Sequence, residues 1–427
     1  MFDSCVHAER ALLVGAFIKG ALSKDERELI MQEMLGLAET ANLEILCCLQ
    51  TVVQEPHSGT FLGQGKVDEI SDMCQNLDPD VVVFQRDLSP VQQRNLERRL
   101  ERKVLNRTEL ILDIFAQHAH SRSGRLQVEL AQLRYRLSHL TGRGVLMSRL
   151  GGGIGTRGPG ETQLETDRRS IQYRITKLKE ELGKLSKHRT EQRKSRSQSG
   201  LPVVSLVGYT NAGKSSLLNA LTESDVSAED QLFTTLDPTT RKLPLQDGTQ
   251  ALLTDTVGFI RDMPKDLKIA FRATLEEIKT SALILLVVEV NCPGMEQKIE
   301  AARKILEELG VMDRPVLTVF NKSDTLEPDS EVMDWRVPHE PSCLVSAKTR
   351  EGLSELVELI GSFVSSSRRQ VLLRLPYSEG RIRSQIHEEG KVISESFGES
   401  CIDLECEIPL SLLPKVKPFV VTRERSG

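Results

Sequence analysis

The chain has few aromatic residues, with four Tyr, one Trp and twelve Phe among 427 residues. An extended surface that stacks nucleic-acid bases needs several such side chains, so none is indicated. The eight cysteines include no CxxC pair, and Cys47 and Cys48 are adjacent. This spacing matches neither a disulfide framework nor a zinc site, and it indicates idle or buried thiols in a reducing cytosol.

Long apolar runs are also absent. The longest, 282–290, is interrupted by Glu289 and is far shorter than the roughly 20 residues that span a bilayer. The first residues lack a basic segment and a small-residue cleavage site, so we expect no signal peptide. A net charge of −5 argues against indiscriminate coating of nucleic acid. We therefore expect a cytoplasmic monomer without stable membrane insertion.

The composition, 39% hydrophobic and 27% charged, is that of a folded chain with several domains. We predict an N-terminal α/β domain at 1–119, a glycine-rich loop with a helical arm at 120–199, a second α/β domain at 200–366 and a small α/β piece at 367–427. In the first of these, apolar runs at 12–18, 43–49 and 81–84 alternate with helical patterns at 23–41 and 90–103.

Two heptad-like stripes indicate the arm. The apolar positions are Leu126, Leu130, Leu133, Leu137 and Leu140 in one stripe, and Leu164, Ile171, Ile175, Leu178, Leu182 and Leu185 in the other. Two such helices could form a hairpin or could pack separately on the domains. The stretch 193–202, RKSRSQSGLP, is typical of a linker.

After that stretch, apolar strands alternate with helical segments from Val203 to about Val364, as in a doubly wound, mostly parallel sheet. Strands are also predicted near 371–375, 391–397 and 401–408. The first strand of the sheet leads into a match to GxxxxGK[ST], followed by a helical run. The residues of this phosphate-binding candidate are Gly208, Tyr209, Thr210, Asn211, Ala212, Gly213, Lys214, Ser215 and Ser216.

The chemistry of this loop predicts the roles of its residues. Backbone N–H groups at a helix N-terminus can face phosphate oxygens. Lys214 would reach the β- and γ-phosphates, and the Ser215 hydroxyl would bind Mg²⁺. Forty residues beyond Ser215, a strand ends in a DxxG motif made of Asp255, Thr256, Val257 and Gly258. Asp255 would hold Mg²⁺ through water, and the Gly258 N–H would sense the γ-phosphate.

Two further motifs define the base. Asn321, Lys322 and Asp324 form an NKxD after another strand, and Ser346, Ala347 and Lys348 follow the next one. A carboxylate at Asp324 can accept hydrogen bonds from guanine N1–H and N2–H₂, which adenine cannot donate. The backbone of the second motif would meet guanine O6. We therefore predict a P-loop GTPase domain that binds GTP and GDP.

The switch segment between these motifs contains LFTTLDP at 232–238. We prefer Thr235 over Thr234 as the Mg²⁺ ligand that also contacts the γ-phosphate. The predicted metal ligands are then Ser215, Thr235 and Asp255, and the predicted catalytic residues are Lys214, Thr235 and Gly258. Phe259 follows Gly258 where many GTPases have a water-orienting Gln. Unassisted hydrolysis should therefore be slow.

These motifs, with DQLFTTLDPTTRK and DTVGFI, resemble the HflX family of translation-associated GTPases. Further segments carry the resemblance: LGQGKVDEI (62–70), LSPVQQRNLE (88–97), NRTELILDIFAQHA (106–119), GRLQVELAQLRY (124–135), GGGIGTRGPGETQLETDRR (151–169) and, more weakly, LRLPYSEGRIRS (373–384). The chain departs from the family at Glu289 and Cys292. The resemblance implies a Mg²⁺-dependent GTPase that binds the 50S ribosomal subunit and its rRNA, and that splits stalled 70S ribosomes when GTP is bound.

The residues of the arm support RNA contact independently. The segment 151–160 has six glycines and Arg157, and eleven Lys or Arg oppose three Glu between 168 and 196. We name Arg157, Arg168 and Arg169 as candidate RNA contacts. A flexible turn before a solvated charged helix is the simpler reading of the same pattern. A different function also stays open, a GTP-controlled switch that recruits a protein partner through the arm.

Overall fold

A computed structural model gives the fold of the chain. It describes residues 8–140, 159–198, 201–222, 239–246, 250–260, 278–279, 281–326, 337–366, 368–398, 400–409 and 412–421. No helix among these residues is long and apolar enough to cross a membrane. Thr234, Thr235 and Arg157 lie outside the described residues.

The N-terminal α/β unit is a four-stranded parallel sheet in the order β2-β1-β3-β4. Its strands are β1 (Arg10–Ile18), β2 (Glu44–Val53), β3 (Val81–Phe84) and β4 (Lys103–Asn106). Its helices are α1 (Lys24–Thr40), α2 (Gln64–Leu77), α3 (Pro90–Leu100) and α4 (Arg107–His118). β1 and β3 are buried on both faces, which is why their sequences are continuous apolar runs. The predicted strands and helices of this unit are confirmed, except that the helix predicted at 90–103 ends at Leu100 and Lys103 begins β4.

Three of these helices begin at capping boxes. The side chains of Ser23, Ser89 and Asn106 each accept a hydrogen bond from the third residue of the helix, whose side chain accepts one in return. Pro90 is the first residue of α3, where its missing N–H has no partner to lose. The local sequence thus sets where each helix begins.

The arm is a hairpin of two long helices, α5 (Arg122–Leu140) and α6 (Pro159–Gln198). Leu126, Leu130, Ile175 and Leu178 are buried together, and five further seam residues pack around them: Leu133, Leu137, Ile171, Leu182 and Leu185. The predicted hairpin is therefore confirmed over separate packing. The predicted linker at 193–202 is wrong for 193–198, which continue α6. Its Arg, Lys and Gln residues are good helix formers, and Ser195 and Ser197 are too few to end the helix.

The nucleotide-binding unit is a six-stranded sheet in the order β10-β9-β8-β5-β7-β6. Its strands are β5 (Val203–Gly208), β6 (Thr239–Pro244), β7 (Gln250–Asp255), β8 (Leu283–Glu289), β9 (Val316–Asn321) and β10 (Ser342–Leu344). All neighbours are parallel except β6, which pairs antiparallel with β7 at one edge. The helices are α7 (Lys214–Thr222), α8 (Met295–Glu308) and α9 (Leu353–Ser366). The doubly wound, mostly parallel fold is confirmed.

A buried contact joins the N-terminal unit to this sheet. Val257 and Ile260, each 2% exposed, belong to the same apolar cluster as Ile111, Phe115 and Val128 of α4 and α5. These two residues flank Gly258 of the DxxG motif. The segment that was predicted to sense the γ-phosphate therefore packs into the core of the N-terminal unit.

The last part of the chain is a three-stranded antiparallel sheet in the order β11-β13-β12. Its elements are β11 (Arg368–Pro376), α10 (Gly380–Glu389), β12 (Lys391–Phe397), β13 (Cys401–Pro409) and α11 (Leu413–Val416). Leu373, Leu404 and Ile386 are fully buried in its own small core. The three strands lie where the sequence predicted them.

Candidate functional site

The candidate phosphate-binding loop connects β5 to α7 through two glycines at which an added Cβ would clash. A Cβ at Gly208 would lie 2.1 Å from the carbonyl oxygen of Val287 on the neighbouring strand. Gly213 has φ +83°, and a Cβ there would lie 2.2 Å from the Asn321 side-chain nitrogen. The loop is therefore packed tightly against both β8 and the NKxD motif.

Lys214, at the start of α7, is 6% exposed. Its ammonium group donates a hydrogen bond to the Tyr209 carbonyl oxygen at 2.8 Å, which folds the side chain back over the loop. Burial lowers the pKa of Lys214 to about 8, and the Asp255 carboxylate offsets part of that effect. A buried cation in this position is suited to an anionic ligand.

Ser215 and Asp255 meet beneath the loop. The Ser215 hydroxyl donates to Asp255 Oδ2 at 2.7 Å, and the Asp255 side chain is fully buried. β7 delivers Asp255, and the next residue, Thr256, donates its hydroxyl to the Leu206 carbonyl at 2.7 Å. Mg²⁺ prefers hard oxygen ligands, binds through one or two protein groups, and keeps waters and phosphate oxygens in its other positions. A hydroxyl and a carboxylate in contact fit that ion.

The DxxG motif is bonded to the phosphate-binding loop by two backbone hydrogen bonds. Phe259 N–H donates to the Gly208 carbonyl at 2.9 Å, and Thr210 N–H donates to the Phe259 carbonyl at 3.0 Å. A Cβ at Gly258 would lie 2.7 Å from Thr210 Cγ2 and 3.0 Å from Lys214 Nζ. The Phe259 ring is fully buried beneath the sheet among Val207 and Leu286. Its side chain therefore belongs to the apolar core of this unit.

The base-reading motifs are held together by side-chain hydrogen bonds. The Asn321 amide donates to the Ala212 carbonyl at 2.9 Å and accepts from the Ala347 N–H at 3.1 Å. The Ser346 hydroxyl donates to Asp324 Oδ1 at 2.6 Å. Asn321 thus links three of the four motifs, and Ser346 orients the carboxylate that was predicted to read guanine.

Sequence reasoning missed Glu289 as a part of this region. Its carboxylate forms an ion pair with Lys322 of the NKxD motif at 2.9 Å. The sequence signals were a single acid that interrupts the longest apolar run and a departure from the family pattern at the same position. Cys292, the other departure from the family pattern, is half-buried close by, and burial raises its thiol pKa.

The structure brings the predicted nucleotide residues of all four motifs to the carboxyl edge of one sheet. Arg168 and Arg169 are exposed on α6, where Arg169 pairs with Glu165 one turn earlier at 2.7 Å. Thr235 and Arg157 have no described position, so their predicted roles stay predictions.

Comparison with known proteins agrees with this site. Three family profiles match consecutive parts of the chain. They are described as the GTP-binding GTPase N-terminal region (28–116), the GTP-binding GTPase middle region (118–196) and a 50S ribosome-binding GTPase (203–322). The last of these covers the phosphate-binding loop, the DxxG motif and Asn321.

Relatives match over nearly the full length. The GTPase HflX of Caldanaerobacter subterraneus is 44% identical over 97% of this chain and 94% of its own. The GTPase HflX of Escherichia coli is 42% identical over 96% of each chain. A GTP-binding protein from Sulfolobus solfataricus, solved with GDP, is 24% identical over 84% of this chain and 99% of its own, with a TM-score of 0.46. The chain belongs to the HflX family of GTPases and is a GTP-hydrolysing enzyme.

Proposed function

We propose that this GTPase binds the 50S ribosomal subunit and, with GTP bound, dissociates stalled or idle 70S ribosomes. One observation carries the proposal. Val257 and Ile260, which flank the γ-phosphate sensor Gly258, are buried in the core of the N-terminal unit. A change in the DxxG segment on GTP binding would therefore reach the N-terminal unit and the arm that extends from it. The profile that matches residues 203–322, that of a 50S ribosome-binding GTPase, supports the choice of partner.

At the nucleotide site, we assign the roles by chemistry. Lys214 would neutralise the β- and γ-phosphates, and Asp324 would hydrogen-bond guanine. Ser215, Thr235 and Asp255 would hold Mg²⁺, which offsets phosphate charge when bound. The remaining residues of the four motifs would contact the nucleotide through their backbone. For the described residues, the assignment is supported by their convergence at one sheet edge, whereas Thr235 is assigned from its sequence alone.

Hydrolysis requires an oriented water, and Phe259 cannot provide that orientation because its ring is apolar and fully buried. The isolated protein should therefore turn over slowly. We propose that the ribosome supplies the missing group, or orders the switch around Thr235 and Gly258.

The arm would dock on rRNA through Arg157, Arg168 and Arg169. α6 has a strongly basic sequence, and phosphate contacts by Arg and Lys dominate such binding. We further propose a cytoplasmic monomer divided into domains near residues 119, 199 and 366. A GTP-controlled switch that recruits a protein through the arm is the second candidate, since the same hairpin offers a long exposed surface.

Phosphate release measured against 50S concentration, at two salt concentrations, tests the docking proposal. We expect 50S particles to stimulate GTP hydrolysis by the wild type. The double variant Arg168→Ala, Arg169→Ala should need a higher 50S concentration for the same stimulation, and its basal turnover should be unchanged. In this variant, the stimulation by 50S particles should also fall less steeply with added salt than it does in the wild type. A double variant of equal charge change on α8, Arg303→Ala with Lys304→Ala, is the control.

Superimposable curves for the arm variant and the wild type would refute docking by these arginines, and adding Arg157→Ala extends the test to the loop. Co-sedimentation with large subunits in a non-hydrolysable GTP analogue separates the two candidate functions. Failure to co-sediment would favour the protein-recruiting switch.

A further inference from the structure

The ion pair between Glu289 and Lys322 joins the ends of two neighbouring parallel strands. Glu289 is the last residue of β8, and it lies opposite Asn321, the last residue of β9. The Val290 N–H also donates to the Asn321 carbonyl at 2.9 Å. Glu289 is therefore fixed next to the NKxD motif by backbone pairing.

The backbone at Lys322 needs such support. Lys322 has φ +67°, a left-handed conformation that side chains with a Cβ rarely adopt. It caps the short 3-10 helix Ser323–Thr325, and its carbonyl accepts hydrogen bonds from Thr325 N–H and Oγ1 at 3.0 and 2.8 Å. Asp324 lies within this one turn. Any contact that restrains Lys322 also restrains the carboxylate that reads the base.

The pair is partly shielded from water. The Lys322 and Glu289 side chains are 25% and 33% exposed, and their charged atoms are 2.9 Å apart. Glu289 also lines a small crevice with Tyr209, Thr210 and Ala212 of the phosphate-binding loop. It thus stands between the loop that would hold the phosphates and the turn that would hold the base.

We propose that Glu289 is a positioning residue for guanine nucleotides. By holding the Lys322 ammonium, it keeps the left-handed turn and Asp324 in place and so slows nucleotide dissociation. This inference rests on the nucleotide roles proposed above for the NKxD motif. Glu289 itself touches neither the base nor the phosphates.

The experiment measures dissociation of fluorescent GDP and GTP from the full chain by stopped flow. Glu289→Gln should raise both dissociation rates by about three- to tenfold, the order expected when a half-shielded charged pair is lost. KM should rise with them and kcat should not change. Glu289→Asp keeps the charge and should recover part of the loss. Glu300→Gln, the same change at an exposed site on α8, should match the wild type.

Coupling with Lys322 is decisive. If Glu289 acts through Lys322, the double variant Glu289→Gln, Lys322→Gln should dissociate no faster than Lys322→Gln alone. The proposal would be overturned if the two substitutions multiplied each other's effect on the dissociation rate. It would also be overturned if Glu289→Gln dissociated nucleotide at the wild-type rate, or if it lowered kcat together with affinity. If instead the nucleotide roles proposed for the NKxD motif are wrong, Lys322→Gln and Asp324→Asn would leave guanine binding unchanged. That result differs from every outcome expected of Glu289→Gln.

Discussion

Nucleotide affinity should depend on pH through Lys214. Its pKa is lowered to about 8 because the ammonium is buried. A bound phosphate would raise that pKa again, since an opposite charge in contact favours the charged form. Below about pH 8 the lysine is already protonated, so affinity is flat. Above that pH, binding must take up a proton, and at pH 9 only about one site in ten would be charged.

Affinity for GDP should therefore fall about tenfold between pH 7 and pH 9, because a neutral Lys214 must take up a proton when the nucleotide binds. Fluorescence titration with labelled GDP measures this directly. Lys214→Arg is the matched control, because a guanidinium does not titrate in this range. Any effect of pH on the guanine base itself would be the same for both proteins. The control should bind more weakly and with a flatter pH profile. Equal profiles for both proteins, or constant wild-type affinity up to pH 9, would refute the reasoning.

Three substitutions test other parts of the site. Asp324→Asn should move base preference from guanine to xanthine in competition binding, and retained guanine preference would contradict the base assignment. Ser215→Ala should lower phosphate release by about 100-fold or more through loss of a proposed metal ligand, and wild-type turnover would exclude that role. Ile260→Ala removes buried methyl groups at the N-terminal unit and should destabilise the chain by about 2–4 kcal/mol, read as a lower urea midpoint. An unchanged midpoint would show that the contact contributes little.

Local sequence determined much of this fold. The apolar runs of β1, β3, β5 and β8 could be recognised because strands buried on both faces must be apolar throughout. The four nucleotide motifs could be placed because each follows a predicted strand of this sheet, namely β5, β7, β9 and β10. β6 was not foreseen, since its sequence TTRKLP is polar and its strand lies half-exposed at the edge of the sheet.

Long-range contacts were out of reach of the sequence. Nothing in the DxxG segment indicates that Val257 and Ile260 pack against α4 and α5. An apolar side chain can pack against any apolar surface, so its sequence does not identify its partner. The pairing of Glu289 with Lys322 depends on the register of β8 and β9, which their sequences do not specify. The end of the arm was misjudged because charged and Ser-rich stretches suit both a linker and a solvated helix.

We propose that GTP binding at this site drives ribosome dissociation. The most direct measurement is light scattering of 70S particles mixed with the full chain and GTP, a non-hydrolysable GTP analogue or GDP. The proposed function predicts a fall in scattering to the level of separated subunits with GTP and with the analogue, and little change with GDP. Equal scattering in all three, or dissociation with GDP as fast as with GTP, would contradict it.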